Sequence, residues 1–178
     1  MTSTPAEDKL VFDTKWFQVA ARPFAGSSEP LYVINTTDFV SIIATTTDGK
    51  MILVRQFRPA VSRKSLELPS GHVEKGETPE EAARKELLEE TGYVADKFEF
   101  LATASPAIGR FTNKMWTYFV PNARPTDDPK YQVEAGVELV LFNGSVRSLM
   151  LDEEFFSTVS HSALFAALAH GRVNLDKA

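Results

Sequence analysis

GHVEKGETPEEAARKELLEETGY, residues 71–93, decides how this chain is read. Thr78-Pro79-Glu80-Glu81 is a helix start: Thr78 is placed to cap, Pro79 suits the first helical position, and Glu81 completes a capping box. Gly92 is the matching stop. At about 100° per residue, Ala83 and Leu87 point one way while Glu86, Glu89 and Glu90 fill a neighbouring arc. Spacings of i,i+3 and i,i+4 bring those glutamates to about 5–6 Å between Cβ atoms, where like charges repel. Protonation, solvation, basic partners or a hard cation taking oxygen ligands would each relieve the repulsion. The helix alone leaves these open, and composition by itself favours a solvated acidic face.

Outside this stretch the chain sets broad bounds. Its 178 residues, 43% hydrophobic, suit one domain spanning 1–178 with a sizeable core. The net charge of −5 is spread without a basic tract, which argues against a polynucleotide partner. There are no cysteines, so disulfides and thiolate metal sites are excluded and a reducing compartment is expected. MTSTPAEDKL has no basic stretch leading into an apolar one, and no later apolar run approaches membrane-spanning length. The expectation is a soluble, cytoplasmic protein with no membrane partner.

Element signals run β-rich first. KLVFDTKWFQVAARPF reads as a strand followed by a Gly26-Ser27-Ser28 turn, and LYVINTTDFVSIIATTTDGKMILVRQF gives strands on both sides of a hairpin turn at Asp48-Gly49. LELPS is a short extended piece ended by Pro69. After the helix, FEFLATASP, KMWTYFVPN and GVELVLFN read as strands, with residues 123–136 a polar, proline-punctuated loop. From Ser148 to His170 apolar residues recur at helical intervals, with Gly171 placed to stop the helix. The order predicts an α+β domain, an α/β/α sandwich with a mixed sheet and an N-terminal β-rich extension over 1–37.

Gly71, five residues, Glu77, seven residues, then Lys85-Glu86-Leu87-x-Glu89-Glu90-x-Gly92-Tyr93 closely resembles the signature of the Nudix hydrolases, with Lys85 where that pattern has arginine. The resemblance implies a loop-helix-loop metal site, for Mg²⁺ or Mn²⁺, that activates water to cleave a diphosphate linked to another moiety. Glu86, Glu89 and Glu90 would be the metal ligands, with the backbone carbonyl of Ser70 or Gly71 as a further oxygen donor. Glu89 and Glu90 would also take part in the catalysis, and Glu77 would help hold the loop. Such chemistry suits Mg²⁺, which prefers carboxylates, water and substrate phosphates.

RQFRP followed by LELPSG, within residues 55–71, looks like the ADP-ribose pyrophosphatase branch, which acts on nucleoside diphosphate sugars. There the arginine equivalent to Arg58 contacts the substrate diphosphate. In that branch N-terminal strands contribute to a homodimer, and aromatics from them stack on the nucleobase across the dimer; Trp16 and Tyr32 are the candidates, with core packing the competing reading for each. Ser105-Pro106-Ala107 stands where the branch tends to have Ser-Pro-Gly. A further acidic residue commonly comes from a late loop, with Glu134 the first choice and Glu138 the second. His72 has no fixed role in the pattern, while His161 and His170 on the C-terminal helix suit dipole complementation. Lys85 lies one helical turn from Glu81 and Glu89, positioned to orient Glu89. The competing functions are a Nudix hydrolase for another diphosphate, such as a different nucleotide sugar or a dinucleotide, and a binding module without turnover, marked by Lys85.

Overall fold

Asp48 and Gly49 make the turn on which the main sheet is built, with Gly49 at φ +85°, a left-handed conformation that suits glycine. In the computed structural model, which describes residues 7–128 and 131–176, this turn joins β4 (Phe39–Thr46) to β5 (Met51–Arg58). Parts of the N-terminal extension, residues 1–6, and of the late polar loop, residues 129–130, lie outside the described residues.

Among the described residues, eight strands form the main sheet. Its path runs from β11 (Val137–Phe142) through β5 and β4 to β10 (Met115–Pro125) and β8 (Tyr93–Val94). Three more join it: β6 (Arg63–Glu67) beside β5, β7 (Ser70–His72) beside β4, and β9 (Glu99–Ala104) beside β10. β4 and β10 are parallel and the other pairs antiparallel, so the sheet is mixed. Period-two alternation along β4 and β5 sends successive residues to opposite faces. Val40, Ile42, Ala44 and Ile52 pack with Ala82, Ala83 and Leu87 of α1 (Pro79–Thr91). Ile43 and Leu53 pack on the other face, with Leu149 of α2 (Val146–Met150), Phe155, and Leu164 of α3 (Thr158–Ala169). Helices thus cover both faces, and the α/β/α sandwich expected from element order is present. Leu87 is fully buried, so truncating it to alanine would cost about 2–5 kcal/mol.

Two expectations of element order are corrected. The first aromatic segment is a hairpin, β1 (Lys9–Asp13) and β2 (Gln18–Arg22), which with β3 (Leu31–Asn35) makes a separate three-stranded sheet. Thr14 folds the tip, its hydroxyl accepting from the N–H groups of Trp16 and Phe17 at 3.1 and 2.9 Å, a local bond that competes with strand pairing. The C-terminal helix is broken into α2 and α3, because Phe155 between them turns into the core and is 1% exposed. His161 therefore falls in the first turn of α3 and packs on the Phe155 ring at 5.3 Å, which is not a dipole-complementing position. His170 is the C-cap residue of that helix.

Candidate active site

The site is assembled around α1, and its local chemistry follows the sequence closely. Thr78 Oγ1 accepts from the Glu81 N–H at 3.3 Å, and Glu81 Oε2 accepts from the Thr78 N–H at 2.8 Å. The Thr78 hydroxyl also donates to Glu81 Oε2 at 2.7 Å, and this bond, with that from the Thr78 N–H, holds the Glu81 carboxyl below its ordinary pKa. Gly92 caps the other end at φ +73°. In the loop before the helix, Glu77 Oε2 accepts from the Glu74 N–H at 3.0 Å, so Glu77 does close the turn.

One open cleft of about 1060 Å³ gathers Arg58, Ser70, Gly71, Glu86, Glu89, Glu90 and Glu134. Glu90 lies on the buried side of α1, three residues beyond Leu87, and is 4% exposed. Its carboxylate accepts from the Ser70 N–H at 2.9 Å. Burial pushes its pKa up to about 8; the Ser70 bond opposes that rise, and the charges of Glu86 and Glu134 add to it. Burial likewise pushes Glu86 up to about 7, opposed by Lys85 and aided by Glu89 and Glu134. Gly71 is required by close approach: a Cβ there would stand 2.0 Å from Glu86 Cδ, so no larger residue fits while Glu86 keeps this position.

The three glutamates share the cleft without forming a ready-made ligand cluster. Among the described residues no three His, Asp or Glu side chains are gathered closely enough to hold an ion as they stand. Glu90 is turned to Ser70, and Glu86 lies against Gly71. The donor chemistry nonetheless fits a hard divalent cation. Half-buried Glu86 and buried Glu90, with pKa values of about 7 and about 8, hold protons near neutrality that such a cation would replace.

Several candidate residues are placed by contacts distant in sequence. Glu134 borders the cleft; its N–H donates to the Glu89 carbonyl at 3.2 Å, and that same carbonyl accepts from Tyr131 Oη at 3.1 Å. Glu138 is turned to Arg55, at 2.8 Å, away from the carboxylates. Lys85 pairs with Glu74 at 2.7 Å, so orienting Glu89 is not its first engagement. His72 borders the cleft and its Nδ1 lies 3.0 Å from Thr37 Oγ1. Trp16 is 69% exposed and lines the cleft of its own chain, with Lys15 Nζ 4.7 Å from its ring centroid. Tyr32 is 50% exposed on β3 and does not line the cleft. Core packing therefore accounts for neither aromatic.

A second chamber, of about 670 Å³, shares Arg58, Ser70, Gly71 and His72 with the first and continues between Phe39, Phe111 and Phe156. Pro106 of the Ser105-Pro106-Ala107 loop lines it. Sequence reading missed this chamber, and also Glu67 and Tyr131. Glu67 lay in plain view within LELPS, but its partner is set by strand register; Tyr131 gave no local signal.

Comparison with known proteins supports the same region. A family model described as the NUDIX domain matches residues 36–143. Over 72 residues the chain is 43% identical to an ADP-ribose pyrophosphatase of Bacillus subtilis, covering 40% of this chain and 39% of that protein. Over 58 residues it is 50% identical to an ADP-sugar pyrophosphatase of Mus musculus, covering 33% of this chain and 25% of the relative. The chain thus spans well under two thirds of the length of these relatives. A crystal structure of an ADP compounds hydrolase superposes with a TM-score of 0.74 over 96% of both chains at 24% identity, a likeness of fold.

Proposed function

The chain belongs to the NUDIX domain family, and from that footing we propose that it is a divalent-cation-dependent pyrophosphohydrolase acting on ADP-ribose or a related nucleoside diphosphate sugar. The products would be a nucleoside monophosphate and a sugar phosphate. One observation carries the reading: Glu86, Glu89, Glu90 and Glu134 border the same cleft as Arg58. Acid donors for a hard cation and a cation for the substrate's own charge therefore stand in one space. The 43% identity over 72 residues to an ADP-ribose pyrophosphatase supports the substrate class.

In this proposal Glu86, Glu89 and Glu90 hold the cation, with the carbonyl of Ser70 or Gly71 beside them. Bound Mg²⁺ or Mn²⁺ would supply charge neutralisation on the diphosphate and lower the pKa of an attacking water. Glu134, carried by the loop that docks on the Glu89 carbonyl, would accept a proton from that water. Arg58 binds the diphosphate, as a guanidinium fork suits phosphate oxygens. Trp16 stacks on the base from the rim.

The homodimer belongs to the same proposal. β1 is exposed along its whole length, its Leu10, Val11 and Phe12 are each more than half exposed, and so is Phe24 in the loop after β2. An apolar edge of this kind favours pairing with a second copy. Lys85 offers no support for a module without turnover, since it is engaged by Glu74. Product analysis on a panel of nucleoside diphosphate sugars and dinucleotides, with and without Mg²⁺, tests the function. Release of a nucleoside monophosphate only with the cation is the expected result; binding without turnover would reject it.

A further inference from the structure

A buried acid beside the cleft has no part in the reaction proposed above. Glu67 ends β6, is 6% exposed, and gives both carboxylate oxygens to one partner: Arg58 Nε donates to Oε1 at 2.8 Å and Arg58 Nη2 to Oε2 at 2.7 Å. The register of β5 and β6 sets Glu67 opposite Val54 and Arg58 opposite Arg63. Positions 54 and 58 have the same parity, so both side chains emerge on one face of the hairpin and meet along it. Two parallel charge-assisted bonds fix the plane of a guanidinium as well as its position. The bond to Glu67 holds the Arg58 pKa above its ordinary value. Arg58 is thereby a fixed cation whose remaining N–H donors are not spent on Glu67. It stands in the wall common to both chambers, whereas Glu67 borders only the second.

We propose that Glu67 is a positioning residue for substrate binding: it locks Arg58 at the junction of the two chambers, so that the free donors of the guanidinium meet a diphosphate lying between them. The proposal rests on reading the cleft as a diphosphate site. An arginine tethered only by its own stem would sample several rotamers at the junction and lose entropy on each binding event. The Glu67 fork removes that cost before substrate arrives. Glu67 therefore acts on affinity and leaves the chemical step to the carboxylates of α1.

The test compares the natural protein with Glu67→Gln, Glu67→Asp, Arg58→Ala and the Glu67→Gln/Arg58→Ala double variant, each first checked for folding by its thermal melt. Two readouts are taken: hydrolysis of ADP-ribose with a Mg²⁺ titration, and calorimetric binding of inorganic pyrophosphate with Mg²⁺. Glu67→Gln is expected to raise KM and weaken pyrophosphate binding about tenfold, as loss of a charged hydrogen-bonded fork implies, with kcat and the Mg²⁺ midpoint nearly unchanged. Glu67→Asp should recover part of the loss, and the double variant should be no worse than Arg58→Ala. If Glu67→Gln does not fold, Glu67→Asp and its combination with Arg58→Ala decide the same question.

The inference is overturned if the two substitutions multiply in the double variant, if KM and pyrophosphate affinity do not move, or if kcat alone falls. Should the natural protein cleave no nucleotide sugar, the function proposed above fails, and the pyrophosphate series then judges Glu67 by itself. Coupling between positions 67 and 58 sustains the positioning role; additive losses, or no binding of pyrophosphate, end it.

Discussion

Glu90 accepts the Ser70 N–H at 2.9 Å from a position 4% exposed, so one buried acid ties α1 to the strand that leads into it. Glutamine keeps a carbonyl oxygen for that N–H but loses the charge. Glu90→Gln is therefore expected to fold, to melt at or above the temperature of the natural protein in metal-free buffer at pH 8, and to lose kcat by about 100-fold or more. Circular dichroism melts and steady-state kinetics check the two halves separately; undiminished turnover at limiting Mg²⁺ would remove Glu90 from the metal site.

Stability of the metal-free protein should fall as pH rises through neutrality. Glu86 and Glu90 have folded-state pKa values of about 7 and about 8, raised chiefly by burial above the ordinary 4.5. A raised value means that the folded state holds the proton more tightly, so the stabilisation is complete below 4.5 and is lost as pH passes 7 and 8. Mg²⁺ takes the place of those protons, and its effect should be larger at pH 8.5 than at pH 6. Melting temperatures with and without Mg²⁺ at the two values provide the check; a shift independent of pH would count against these two ligands.

Gly92 is the residue that α1 and the late loop cannot share with a larger one. Its φ is +73°, and an added Cβ would stand 2.5 Å from the Tyr131 ring. Gly92→Ala is expected to cost about 1–2 kcal/mol in stability from the left-handed backbone. It should also displace Tyr131, loosen the Glu134 loop and lower kcat. Tyr131→Phe removes only the bond to the Glu89 carbonyl and should have the smaller effect on kcat. Equal activity in Gly92→Ala and the natural protein would show that the loop is not held through this contact.

Lys85 carries a narrower expectation than its place in the Nudix signature implies. Its ammonium is spent on Glu74, so Lys85→Met should leave the Mg²⁺ midpoint and kcat close to those of the natural protein. Lys85→Arg should be active as well. A Mg²⁺ titration of all three proteins measures this, and a marked rise in the midpoint for Lys85→Met would restore a direct role beside the carboxylates.

Trp16→Ala should chiefly raise KM, because stacking on a base is worth about 1–3 kcal/mol and the residue lies on the cleft rim. Sedimentation of the same variant separates loss of the base contact from loss of the dimer. An unchanged KM in an unchanged assembly would remove Trp16 from the binding site.

Residues 71–93 by themselves determined α1, its caps and the neighbourhood of its acids. The forces involved act within a few positions: Thr78 on Glu81, Glu77 on Glu74, and glycine at a left-handed turn. The Asp48-Gly49 hairpin was legible for the same reason, and the sandwich followed from element order. The remaining features depend on partners far along the chain. Strand register sends Glu138 to Arg55, 83 residues away, and leaves Glu134 at the cleft. The same kind of register hands Glu67 to Arg58 and makes the second chamber from loops around Phe111 and Phe156. The pKa values of Glu86 and Glu90 likewise needed the fold, because burial, their largest cause, is set by what packs over α1 and not by the helix's own charges.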